Sequence, residues 1–186
     1  MGVSRPSRAV AGVGSSSDSC GHIGQSRMTM SKETPGPCPC GQPRRFAECC
    51  APIHADPRRA RTPEALMRAR YSAFVCEAHA VLIATWDPAT RPRAEALASG
   101  ATRWLKLTVH DSTQQDENGT VTFSADFIDA GGFQRLTETS RFRFAADADQ
   151  WFYVDGDAQW QRLDIGRNAA CPCGSGLKAK RCCARG

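Results

Sequence analysis

The chain has 186 residues, 41% of them hydrophobic, with ten cysteines and a formal net charge of +5. That apolar share suffices for one globular domain with accessories and excludes wholesale disorder. No apolar run approaches the roughly 18 residues of a membrane span, and the N-terminus lacks the apolar core of a secretory signal, so a cytoplasmic protein with reduced thiols is expected.

Residues 1–35 are rich in Ser, Gly and Arg, show no periodicity, and read as a disordered N-terminal extension. Their Arg- and Ser-rich, acid-poor character also resembles an organelle transit peptide. Met28 and Met30 stand just before the first cysteine motif, and translation from one of them, in place of Met1, is the preferred reading. Residues 36–52 then carry CPCGQPRRFAECC, from Cys38 to Cys50. The Pro- and Arg-rich stretch that follows reads as a linker over 53–61, unable to continue a helix.

Thr62 before Pro63 and Glu64 is an N-cap, a first-turn proline and an acid at the positive end of a helix dipole. Met67, Tyr71, Phe74, Val75, Ala78, Val81 and Leu82 continue at helical spacing, predicting a helix over 63–85 with a break near Cys76 to His79. WDPATRP ends it. The period then drops to two. Leu105, Leu107 and Val109 alternate with polar residues, and after DENG so do Val121, Phe123, Ala125 and Phe127. A third strand is expected over 134–145 and a fourth at QWFYVDG. A helical segment followed by an antiparallel meander, over 62–165, is an α+β layout with the helix on one face of the sheet. Residues 166–186 close the chain with CPCGSGLKAKRCC, a near copy of the first motif.

Charge divides along the same boundaries. The middle, 62–165, carries ten bases and fifteen acids, whereas 166–186 carries five bases and no acid. Basicity therefore belongs to the cysteine-bearing ends, where an anionic partner should be sought.

Each motif is C-x-C, eight residues, then C-C. Four thiolates make a closed tetrahedral site, and closed sites are structural because no position is left for a substrate. The expected ligands are Cys38, Cys40, Cys49 and Cys50 in one site and Cys171, Cys173, Cys182 and Cys183 in the other. Two zinc ions are expected, with iron as the alternative because thiolates alone do not choose. Redox cysteines and vicinal disulfides are the competing readings. Gly41 and Gly174 let the backbone turn after the second cysteine. His54 could replace Cys50 as a ligand, but Cys50 fits the repeat better. Cys20 and Cys76 stand outside both motifs and read as small hydrophobes or incidental thiols.

CPCGSGLKAKRCC resembles the SEC-C motif, the metal-binding tail of the Sec translocase ATPase. Two such motifs around LMRARYSAFV, TWDPATRP, ETSRF and WFYVDG resemble the YchJ family of bacterial proteins, over about residues 36 to 183. The resemblance implies a nuclear transport factor 2-like middle, a cone of helix on curved antiparallel sheet, and bound metal, but no activity. Ala179 departs from the pattern, standing where related C-terminal motifs have an aromatic.

In the third strand Leu136, Glu138, Ser140, Phe142 and Phe144 share one face. If that face is the core, Glu138 points inward and must be paired or have a raised pKa. Arg70 and Tyr71 of the helix are its candidate partners, and the structural expectation is that Glu138 bonds Arg70 or backbone amides and so fixes helix to sheet. Two functions remain open. The first is a non-enzymatic adaptor whose knuckles dock a ribosome, RNA or a protein-export component through Lys178, Lys180, Arg181, Arg44 and Arg45. The alternative is a small-molecule-binding protein or enzyme using a pocket in the cone at Glu138, Arg70 and Tyr71.

Overall fold

The computed structural model describes residues 37–93 and 102–185. The expectations for residues 1–35, including disorder, the start at Met28 or Met30, and Cys20, lie outside the described residues. Helix α1 spans Ala51–Ala55, α2 Pro63–Val75 and α3 His79–Ala84. Strands β1 (Arg103–Gln115), β2 (Asn118–Asp129), β3 (Gly132–Ala145) and β4 (Gln150–Arg162) form one antiparallel sheet in the order β1-β2-β3-β4. Among the described residues no helix is long and apolar enough to cross a membrane.

The α2 start is built as its sequence dictates. Thr62 Oγ1 accepts from Ala65 N at 3.1 Å, Pro63 opens the first turn, and Glu64 pairs with Arg68 at 2.7 Å. The expected break falls between α2 and α3, where Glu77 takes φ 54° and Ala78 N closes on Ala73 O at 2.8 Å. The stretch read as a linker over 53–61 holds the end of α1 and a 3-10 turn. Pro52 sits in the first turn of α1, where its missing N–H costs nothing, and Asp56 then accepts from Arg58 N to start a 3-10 turn at Pro57–Arg59.

Helix α2 is covered on three sides. Met67 and Tyr71 enter the main core with Phe123, Phe127, Phe142 and Trp151 of the sheet, Ala69 packs on the first cysteine cluster, and Ala73 meets Leu82 of α3. Full burial of a side chain such as Leu66 or Phe142 contributes roughly 1.5–3 kcal/mol each. Register shifts at Trp104/Lys106, Val109/Asp111 and Arg141/Phe142 bend β1 and the β3–β4 pair. The strands outrun their apolar alternation: β1 continues to Gln115 and β4 to Arg162. There the hydrogen-bond ladder extends through mostly polar, exposed residues, Trp160 of β4 being the exception. Backbone bonds from Asp87 N to Tyr153 O and from Tyr153 N to Thr85 O tie the segment after α3 to β4.

Candidate metal centres and the adjoining cavity

The two cysteine motifs fold alike, residue for residue. Cys38 N donates to Arg44 O at 2.8 Å, as Cys171 N does to Leu177 O at 2.8 Å. Gly41 N returns to Cys38 O and Gly174 N to Cys171 O. The two glycines take φ +83° and +80°, the left-handed region that other residues enter only with strain. Phe46–Glu48 and Ala179–Arg181 form matching 3-10 turns that bring the C-C pair back to the C-x-C.

All eight cysteines are free thiols. In each group of four the sulfurs lie within 4.8 Å of one another. Cys40 Sγ is 3.6 Å from Cys49 Sγ, and Cys173 Sγ is 3.4 Å from Cys182 Sγ. A tetrahedral ion with metal–sulfur bonds of about 2.3 Å spaces its ligands by about 3.8 Å, whereas a disulfide needs about 2.05 Å. The arrangement therefore fits a metal ion and not a bridge. His54 is no substitute ligand, because its Nε2 is engaged by Ala69 O at 2.9 Å and Ser72 Oγ at 2.8 Å. Hydrogen bonds from Cys40 and Cys50 hold the Cys38 thiol down to about 4, while the Cys50 thiol is pushed up by sharing hydrogen bonds with Cys38 and Cys40. Four clustered sulfurs cannot all ionise without a cation among them.

The surroundings of the two groups differ. The first is buried: Cys38, Cys40, Cys49 and Cys50 pack against Ala69, Phe46 and Ile53, and Arg68 Nη1 donates to Cys40 O at 3.0 Å. The second leaves Cys173, Cys182 and Cys183 half-buried, and Arg103 Nη2 reaches it from β1 through Cys183 O at 2.6 Å. Ala179, in the place that Phe46 holds in the first copy, is wholly buried, with its own N–H bonded to Ala169 O at 2.9 Å. The missing aromatic is thus offset by the chain before Cys171 folding over the turn. Lys178, Lys180, Arg181, Arg44 and Arg45 are exposed, and none is in an ion pair among the described residues.

Between α2 and the sheet lies a cavity of about 300 Å³ whose wall includes all three predicted pocket residues, Arg70, Tyr71 and Glu138. The β3 alternation holds: Leu136, Ser140 and Phe142 are buried and Glu138 faces the cavity. Among the described residues Glu138 bonds neither Arg70, Tyr71 nor a backbone amide, the partners expected for it. Glu138 Oε1 instead accepts from Ser140 Oγ at 2.6 Å and Tyr153 OH at 3.2 Å. Arg70 Nη1 donates to Leu82 O at 3.0 Å and Thr85 Oγ1 at 2.8 Å, so its hydrogen bonds fix helix to helix. Its guanidinium lies 4.5 Å from the Tyr153 ring centre and 4.9 Å from that of Trp86, at cation–π distance. Tyr71 packs edge-on against Trp104. Burial, with the nearby Glu138 charge second, pushes the Tyr153 hydroxyl up, and burial lowers Arg70 to about 10. Tyr153 and Trp86 were not singled out as pocket residues in the sequence. Position gave one signal: Tyr153 neighbours β3 on the next strand, through the Phe142 pairing.

A family model for the middle domain of YchJ, described as nuclear transport factor 2-like, matches residues 62–156, and one for the SEC-C motif matches 167–185. The UPF0225 protein SG1365 of Sodalis glossinidius is 42% identical over 153 residues, covering 79% of this chain and 97% of the relative. The UPF0225 protein YchJ of Shigella dysenteriae is 44% identical over 152 residues, covering 78% and 96%. Among solved structures, a SEC-C motif containing protein from Rhodopseudomonas palustris matches with a TM-score of 0.61 and 33% identity, over 66% of this chain and 98% of that one. Another from Psychrobacter arcticus matches with 0.56 and 30%, over 80% and 96%.

Proposed function

The chain belongs to the YchJ family, and from that premise we propose that it is a zinc-binding, non-enzymatic docking protein of the cytoplasm, whose two knuckles have separate tasks. The first knuckle is a staple: its metal fastens residues 38–50 to the back of α2. The second is the docking element, and its partner is RNA, free or in the ribosome.

One observation carries this reading. Leu177, 52% exposed, sits on the second knuckle beside Lys178, Lys180 and Arg181, all exposed and unpaired among the described residues. A solvent-facing leucine amid uncompensated cations suits a contact surface better than charge balance around a metal does. Arg44 and Arg45 extend the positive field from the first knuckle.

The test is binding of purified ribosomes and of ribosomal RNA across potassium chloride concentrations. Affinity should fall steeply with salt, and the Lys178→Ala, Lys180→Ala, Arg181→Ala variant should lose about two to three in the log–log slope. Capture of an acidic protein-export component in place of RNA would move the docking role to that partner. Absence of salt-dependent binding to either would end the docking reading. Elemental analysis should find two equivalents of zinc. Two of iron would change the metal and leave the staple intact.

A further inference from the structure

The cone cavity holds an arrangement that docking by the knuckles does not use. Its walls are mostly apolar, with Phe74, Trp104, Phe127 and Leu136 among them. Its polar groups are concentrated. Arg70 is 3% exposed, yet no carboxylate lies within ion-pair distance of it among the described residues. Only Nη1 is hydrogen-bonded to protein there, which leaves the Nε and Nη2 donors without partners among the described residues. Trp86, also in the wall, has a buried Nε1 with no partner among the described residues. Across the Tyr153 ring, Glu138 uses one oxygen for both of its hydrogen bonds, leaving the other free among the described residues. Trp86 Nε1 is the buried atom left unsatisfied among the described residues, which is costly, and with further donors and an acceptor open toward the cavity the site is shaped for a molecule that supplies the complement.

The charge balance selects the class of that molecule. One guanidinium and one carboxylate face the same low-dielectric space, separated by a tyrosine. A ligand carboxylate would set two negative charges against one positive there, and a ligand ammonium the reverse. A neutral group with an acceptor and a donor side by side preserves the balance and satisfies both ends.

We propose that the cone binds a small neutral molecule with an apolar or aromatic body and one carboxamide-like end, its carbonyl accepting from Arg70 and its N–H donating to Glu138. The volume of about 300 Å³ holds a body of two fused rings. Tyr153 sets the spacing, with its ring against Arg70 and its hydroxyl on Glu138. Recognition does not involve the knuckles and stands or falls separately from RNA docking.

Three probes of one shape test this: 2-naphthamide, 2-naphthoate and naphthalene, titrated into the metal-loaded full chain by calorimetry and by NMR of the tryptophan indole N–H signals. The expected result is saturable 2-naphthamide binding that moves Trp86, Trp104 and Trp160 but not Trp151, with 2-naphthoate and naphthalene at least tenfold weaker. Arg70 variants are avoided because they would also loosen α3. Glu138→Gln removes one charge with little change of shape. It should weaken 2-naphthamide about tenfold and strengthen 2-naphthoate, because Arg70 is then the only charge between them. Equal binding of naphthalene and 2-naphthamide, tightest binding of 2-naphthoate by the unaltered protein, or no saturable binding of any probe each overturns the proposal. Should Glu138→Gln not fold, the order of the three probes on the unaltered protein decides alone.

Discussion

Gly156 keeps open the space that the Glu138 carboxylate occupies: a Cβ at 156 would run into the carboxylate at contact distances no real side chain tolerates. The two residues lie on neighbouring strands, where Gly156 pairs with Ser140, the hydroxyl donor to Glu138. The orientation of the acid in the cavity is therefore set by an absent side chain on β4 as much as by its hydrogen bonds.

Gly156→Ala should cost about 1–3 kcal/mol, as overpacking of a filled site does. The same substitution in a Glu138→Ala background should cost much less, since the atom it strikes is gone. Urea unfolding of the four proteins gives the coupling. Independent, additive losses would mean that the glycine serves the strand and not the acid.

The two knuckles should differ in what their metal does for the cone. Cys40→Ser, in the cluster packed against Ala69 and Ile53, should lower stability by several kcal/mol. Cys182→Ser, in the half-exposed cluster, should release its metal with less than about 1 kcal/mol of effect on cone unfolding. Near-UV circular dichroism of the tryptophans against temperature, alongside metal analysis, reads both.

Ala69 is wholly buried where α2 meets the first cluster. Ala69→Leu should drive helix and knuckle apart, costing about 1–3 kcal/mol and weakening the first metal site while leaving the second unchanged. Competition with a chromogenic chelator should then show one weakened equivalent out of two.

Asp87 is buried, accepts from Ala89 N at 2.9 Å, and pairs with Arg143 at 2.8 Å. The Ala89 amide and then the Arg143 guanidinium hold its carboxyl below the ordinary 3.8. A depressed folded value means that its stabilisation is complete above the unfolded value, near 3.8, and is lost as pH falls through the lower folded value. Asp87→Asn should therefore cost about 1–2 kcal/mol at pH 7 and flatten the acid side of the stability curve. Unfolding midpoints from pH 6 to pH 2.5 should converge for the two proteins at the acid end.

Local chemistry was legible in the sequence, and packing between elements was not. The Thr62 cap, the break after Cys76, the β3 alternation and the repeated cysteine spacing each depend on neighbours in the chain, and each is found as read. Arg70 is the opposite case. Its partners, Leu82 and Thr85, lie one helix further on, and Tyr153 reaches it from the last strand. No periodicity relates those positions. Ala69 and Ser72 likewise carry no apolar signal, yet they are buried because smallness is what lets the first knuckle approach the helix. The short helical pieces at 51–55 and 57–59 are not legible where proline is taken only as a helix breaker, because Pro52 and Pro57 each stand in a first turn.

The sheet order also has a kinetic meaning. Each strand pairs only with its neighbours in the chain, so the meander can assemble hairpin by hairpin, with short loops to close at every stage. The slow closures are those that carry α2 onto the finished sheet. As the chain emerges during synthesis, Cys38 to Cys50 and α2 leave the ribosome before the strands, so α2 waits for the sheet it packs on.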